Sequence, residues 1–154
     1  MQRDPRQLNE FFVHVFNKIL IFEEQALSRT GCPDLSVREL HVIEAVSDLA
    51  RLGRNTMSAI AEMLAISVSS LTTAVNVLVR KAYLRREGSQ QDRRMVYVCL
   101  TEKGAQAEAQ HRAFHERMIA SVSEQLTDAQ WQTLLKSLDV LGRFFAGGDA
   151  DAAH

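Results

Sequence analysis

Apolar positions recur at three- and four-residue steps over most of this chain and at two-residue steps in one short stretch. That change of period predicts the order of elements. From about Leu8 to Leu27, the positions Phe11, Phe12, Val15, Phe16, Ile19, Phe22 and Ala26 keep helical spacing with no Pro or Gly between them, which predicts one long helix. Its middle, Phe11 to Phe22, is apolar almost all round, with His14, Asn17 and Lys18 as the exceptions. A helix of that kind has to be covered on several sides. Gly31-Cys32-Pro33 breaks the pattern, and Ser36-Val37-Arg38-Glu39 restarts it with a capping box, followed by Leu40, Ile43 and Val46 on one face. After Arg51-Leu52-Gly53-Arg54-Asn55 comes a short helix near Met57 to Leu64. A brief break at Ala65-Ile66-Ser67 then leads into another helix, with Leu71, Val75, Leu78 and Val79 turned inward.

The period then switches. Tyr83 to Arg86 and Met95 to Leu100 read as strands, and the polar segment Glu87 to Arg94 joins them into a hairpin. Thr101 caps a helix running to about Glu124, with His111, Phe114, His115, Met118 and Val122 as its inner stripe. A second capping box, Thr127-Asp128-Ala129-Gln130, opens the last helix, which carries Trp131, Leu134, Leu135, Leu138, Leu141 and Phe145. The small polar tail 147–154 is expected to be flexible. The fold class expected is mainly α with a small β-hairpin wing: a winged helix-turn-helix over about residues 36–100, between helical segments of about 7–30 and 101–146, all in one domain of residues 1–146.

Composition narrows the class further. A chain of 154 residues with 46% hydrophobic and 24% charged positions suits a soluble protein with a core. No apolar run approaches the roughly 18–20 residues that cross a bilayer, and the start lacks a signal-peptide pattern, so no membrane partner and a cytoplasmic location are expected. Cys32 and Cys99 make no disulfide framework. There is no phosphate loop, nucleophile elbow or placed carboxylate pair, so an enzyme is not expected.

Net charge is only −1, but Arg80 to Arg94 holds six basic residues, Arg80, Lys81, Arg85, Arg86, Arg93 and Arg94, against Glu87 and Asp92. The helix before the hairpin offers Ser67, Ser69, Ser70, Thr72, Thr73 and Asn76, small polar side chains that can approach base edges and phosphates. Alone, that row reads equally well as a solvated face. A hairpin tip with Arg93 and Arg94 directly after it favours DNA, because a narrow minor groove attracts arginine and Asp92 can fix an arginine side chain.

Gln91-Asp92-Arg93-Arg94, then Val96, Val98 and Leu100-Thr101-Glu102-Lys103-Gly104, resembles the wing signature of the MarR family. Leu71-Thr72 and Leu78-Val79-Arg80-Lys81-Ala82-Tyr83-Leu84 resemble its recognition helix and following turn, with Ala82 where the family usually has Gly. The resemblance implies a homodimer with interlocked terminal helices, one winged helix-turn-helix per subunit, and binding to a pseudo-palindromic double-stranded operator, usually as a repressor under ligand control.

Effector candidates lie on the apolar stripes. His111 and His115 stand at i and i+4 on one helix face, where Arg112 replaces the glutamate a metalloprotease needs. With Glu23, Glu24, Cys32 and His41 they offer the donor types zinc accepts; packing histidines are the plainer reading. Ile21-Phe22-Glu23-Glu24, Glu39-Leu40-His41-Val42-Ile43 and the His111 to His115 stretch also resemble the FabT-like branch, which controls fatty-acid-synthesis genes. That resemblance implies long-chain acyl–acyl carrier protein as effector and no metal. The acyl chain would be held by Phe11, Val15, Phe16, Ile19, Phe114 and Met118, edged by His41, His111 and His115, and the acidic carrier would meet Arg112 and Arg117. The alternative is the zinc-responsive branch, with Glu24, Cys32, His41, His111 and His115 as ligands. Thiol sensing through Cys32 is a third reading.

Overall fold

A computed structural model describes residues 4–29, 32–88 and 95–146. The hairpin tip with Asp92, Arg93 and Arg94, and the expected flexible tail, lie outside the described residues. The elements are α1 (Pro5–Arg29), α2 (Val37–Arg51), α3 (Met57–Met63), α4 (Val68–Arg80), β1 (Leu84–Gly88), β2 (Val96–Leu100), α5 (Glu102–Ser123) and α6 (Asp128–Ala146). The chain divides into two compact units, Met1–Phe114 and His115–His154, with the boundary inside α5. The fold is the mainly helical winged helix-turn-helix expected. No single helix among the described residues is long and apolar enough to cross a membrane.

The helix starts follow from local hydrogen bonds. Ser36 Oγ accepts from the Glu39 amide at 3.3 Å while Glu39 Oε2 accepts from the Ser36 amide at 2.8 Å, closing the capping box of α2. Thr127 and Gln130 form the same reciprocal pair at α6, at 3.4 and 2.9 Å. Ser67 caps α4, and Thr101 Oγ1 accepts from the Gly104 amide at 3.1 Å at the head of α5. Thr56 caps α3, its side chain accepting from the Ala59 amide.

Three helix ends share one device. Gly53, Ala65 and Ala82 follow the C-caps of α2, α3 and α4 with φ of 65°, 51° and 63°. At each, the next amide reaches back to the first carbonyl of the last turn: Arg54 to Leu49 at 2.9 Å, Ile66 to Ala61 at 3.0 Å and Tyr83 to Leu78 at 2.9 Å. These are Schellman caps, and two of the three place alanine in the left-handed region where glycine is the usual choice. Ala82 therefore keeps the turn after α4 fully hydrogen-bonded, at the cost of local strain.

The core of the first unit fills the space between α2, α3, α4 and the hairpin. Ile43, Val46, Ile60, Leu71, Val75, Leu78 and Val98 have no accessible surface. The strands pair antiparallel from Leu84↔Leu100 to Gly88↔Val96. Tyr83 belongs to the turn, so β1 starts one residue later than its pattern suggested and extends to Gly88. A further edge comes from buried Asn55, whose Nδ2 donates to the Val98 carbonyl at 2.8 Å while its carbonyl accepts from the Val98 amide at 2.9 Å. Those bonds pin β2 to the loop before α3.

On α5 the buried residues are Gly104, Ala107, Glu108 and His111. Phe114, His115 and Met118 of the expected stripe are half-buried, and Val122 is exposed. Gly104 is required at its place, since a Cβ there would fall on the Tyr83 carbonyl oxygen.

Candidate nucleic-acid interface

α3 and α4 meet at 106°, within the range by which helix-turn-helix motifs present their second helix. Burial of Leu71, Val75 and Leu78 fixes how α4 is rotated, and this leaves Ser67, Ser69, Ser70, Thr72, Thr73 and Asn76 exposed together. Their hydrogen bonds narrow what each can offer. Thr72 Oγ1 donates to the Val68 carbonyl at 2.8 Å and Thr73 Oγ1 to the Ser69 carbonyl at 3.4 Å, so each hydroxyl retains acceptor capacity beside a methyl group. Ser67 and Ser70 hydroxyls pair at 2.8 Å at the head of the helix. Asn76 Oδ1 accepts from Arg86 Nη2 of β1 at 2.8 Å. Asn76 and Arg86, with Thr73 and Arg80, line a shallow concavity beside the helix. Exposed Arg80 and Arg86 border this surface with positive charge, the condition for phosphate contact. Arg85, the neighbouring position on β1, pairs with Glu87.

An ionic network ties α2 to the end of α4. Lys81 Nζ lies 2.8 and 2.9 Å from the two Glu39 carboxylate oxygens and also donates to the Asp34 carbonyl. Burial pushes the Glu39 carboxyl up, but the Lys81 and Ser36 hydrogen bonds outweigh it and the net shift is downward. Tyr83 hydroxyl donates to Asp34 Oδ1 at 2.7 Å, which holds Asp34 below the usual carboxylate range. Burial, and then that same bond, pushes the Tyr83 phenol up. Lys103 Nζ sits 4.0 Å above the Tyr83 ring. These groups hold the turn at Ala82 against α2 and the head of α5.

The family is decided by the whole-chain comparison together with this geometry. The MarR family model matches residues 34–95. The chain is 30% identical to Streptococcus pneumoniae FabT, whose crystal structure was determined in complex with DNA; the match covers 94% of this chain and 99% of that one, with a TM-score of 0.86. The chain belongs to the MarR family. Two curated relatives are similar over shorter spans. They are the helix-turn-helix transcriptional regulator YwhA of Bacillus subtilis, at 32% over 85 residues, and the transcriptional regulator ZitR of Lactococcus lactis, at 30% over 94 residues. These matches span 61% and 65% of the relatives' own length, and 55% and 59% of this chain.

Within this MarR-family chain a second cluster sits where α1, α2 and α5 of the first unit pack. His41, Glu44 and His111 place one ligand atom each within 4.8 Å of the others. His41 Nε2 lies 3.6 Å from Glu23 Oε1, His111 Nε2 lies 3.6 Å from Glu44 Oε2, and the two imidazole centroids are 5.9 Å apart. Glu23 and His111 are buried, at 4% and 6% exposure. Two histidines and a carboxylate are a donor set that divalent zinc accepts. Glu44, three residues after His41 on α2, was not singled out by the sequence pattern. Glu24 and Cys32 join no such group among the described residues.

Of the residues expected to hold an acyl chain, His111 and Phe114 line a narrow cavity with Glu23, Leu27, Cys32 and Leu40 that has room for about one water. Phe11 and Phe16 are exposed, while Val15, Ile19 and His41 are half-buried. His115 and Met118 belong to the second unit. Cys32 is buried and Cys99 is half-buried on β2, where its thiol donates to Glu87 at 3.4 Å. Glu108 is buried beside Arg51 at 3.3 Å and pairs with Arg112; burial is the main cause raising its carboxyl, with Arg51 opposing.

Proposed function

We propose that this chain is a homodimeric transcription regulator, a repressor of fatty-acid-synthesis genes, that binds a double-stranded operator through α4 and the hairpin wing. The observation that carries the DNA-binding part is the exposed row from Ser67 to Asn76 on α4, set at a helix-turn-helix angle and bordered by Arg80 and Arg86. A dimer is supported by the apolar surface of the terminal helices: Phe11, Val13 and Phe16 on α1 and Leu138, Val140 and Phe144 on α6 are each about half exposed or more. Two copies of α4 would read half-sites about one helical turn apart.

Selection from a random duplex library tests this directly. The expected product is an inverted repeat whose half-sites lie about 10–10.5 base pairs apart, bound by a species of twice the 17.3 kDa chain mass in sedimentation at micromolar concentration. Enrichment of no sequence would overturn the reading.

For the effector, similarity to FabT along 94% of the chain supports long-chain acyl–acyl carrier protein. The cavity that His111 and Phe114 line is far below the roughly 300–1,000 Å³ of small-molecule pockets. On the acyl reading, a second protomer closes over the exposed Phe11 and Phe16 to enclose the chain. The specific observation of His41, Glu44 and His111 gathered around one point favours a second reading, a zinc-responsive regulator. Operator affinity measured by fluorescence anisotropy with each ligand in turn separates them. The acyl carrier should shift affinity by roughly 5–150-fold. A zinc response abolished by His111→Ala, with no acyl response, would select the second.

A further inference from the structure

We propose that Arg86 sets what Asn76 reads, and that the base is guanine. The proposal rests on the operator-binding reading above. A free asparagine amide carries one acceptor and a donor group side by side, the pattern that fits the N6 amino and N7 of adenine. Asn76 is not free in this sense. Arg86 Nη2, reaching from β1, donates to its Oδ1 at 2.8 Å. A guanidinium carries no acceptor and stays protonated, so the atom facing it has to be the oxygen, and Nδ2 is turned the other way.

The consequence is chemical. One lone pair of Oδ1 is engaged, and a positive charge stands next to the other. An adenine N6 amino group approaching that oxygen would meet the guanidinium. The pair instead offers N–H groups: the Asn76 amide, and the guanidinium donors that Oδ1 leaves unengaged. Guanine presents two acceptors, O6 and N7, on its major-groove edge. Cytosine presents a donor there, and thymine a single acceptor beside a methyl. Both side chains are exposed and line one concavity, so a base edge can reach them together. Arg86 is thus a positioning residue for Asn76 and shares the same base with it. The strand that carries the wing supports the recognition helix through this contact.

The test uses the full-length protein and the operator recovered by selection. Asn76→Ala first locates its own position, as the base pair where preference relaxes. At that position, wild type should prefer G·C over A·T by about tenfold, within the discrimination of a bidentate contact. Arg86→Met should lose that preference and move it toward A·T, because the released amide regains its acceptor. Arg86→Lys, which restores a cationic donor, should recover part of it. Thermal melting should be unchanged in all three. A wild-type preference for adenine at that position overturns the proposal. So does an Arg86→Met variant that weakens every sequence alike, the behaviour of a phosphate contact or a simple tether. Failure of wild type to enrich any sequence overturns the operator-binding reading itself, and this proposal with it.

Discussion

Between Leu35 and Leu100 a set of apolar side chains closes on itself, Ile43, Ile60, Leu71, Leu78 and Val98 having no accessible surface, while Leu52, Met63 and Val68 at its margin stay about half exposed or more. In α1 and α6 comparable side chains stay open. Phe16 is 59% exposed and Val140 60%. The only buried residues of α1 are Glu23 and Leu27, and α6 has none among its described side chains. Both regions have strong helical patterning, so pattern alone does not say whether a face is satisfied within one chain. The winged region has short elements whose caps and turns bring three helices and a hairpin around a shared centre. The long terminal helices have regular faces and few neighbours within their own unit. On the proposed function, a second protomer supplies what they lack.

The largest expected effect breaks the comparison at its open side. Phe16→Asp places a charge on the exposed face of α1, away from the core of the winged region. Melting of that core should be little changed. The dimer should dissociate at micromolar concentration, and operator affinity should fall with a loss of about 4 kcal/mol or more, as for a central interface residue. Sedimentation and fluorescence anisotropy check the two parts. A dimer that persists would mean the open faces serve something else.

A smaller effect tests the closed side. Gly104→Ala should destabilise the first unit by about 2–3 kcal/mol, because the new methyl group meets the Tyr83 carbonyl and forces the head of α5 away from the turn. Gly142 in α6 is the counterpart: a Cβ there meets nothing within 4 Å. Gly142→Ala should raise helix stability by about 0.5–1 kcal/mol. Urea unfolding of both variants reads the contrast, and similar effects at the two glycines would remove it.

How far the sequence disclosed these regions depends on whether the deciding interaction is local. Ser36 with Glu39, and Thr127 with Gln130, are three residues apart, and both capping boxes are legible from spacing. The exposed row on α4 follows from the period of Leu71, Val75 and Leu78. The Schellman ends at Ala65 and Ala82 leave no comparable trace, since alanine carries no preference for positive φ. Glu44 reads as a solvent-facing charge and Glu23 as one donor among several, and only the packing of α1 and α5 against α2 brings them to His41 and His111. The Arg86 to Asn76 bond joins a strand to a helix across ten positions, where no helical or strand period applies.

The smallest effect concerns those alanines and sharpens the comparison by altering the winged region alone. Ala82 sits at φ 63°, where an L-residue pays roughly 1–2 kcal/mol in Cβ crowding. Ala82→Gly removes that strain but adds freedom to the unfolded chain, which offsets about 0.4–1 kcal/mol. The net expectation is a gain of about 0.5 kcal/mol. Both cap bonds, Ala82 to Val79 at 3.0 Å and Tyr83 to Leu78 at 2.9 Å, should be retained. Ala65→Gly at the end of α3 should behave alike, and the two gains should add if the sites do not share partners. Chemical denaturation at 25 °C measures each variant, with sedimentation confirming that the oligomeric state has not moved. A loss of stability at Ala82 would mean that the alanine methyl makes a contact worth more than its strain. The turn between α4 and β1 would then be held by packing rather than by the Lys81 and Tyr83 hydrogen bonds to Glu39 and Asp34.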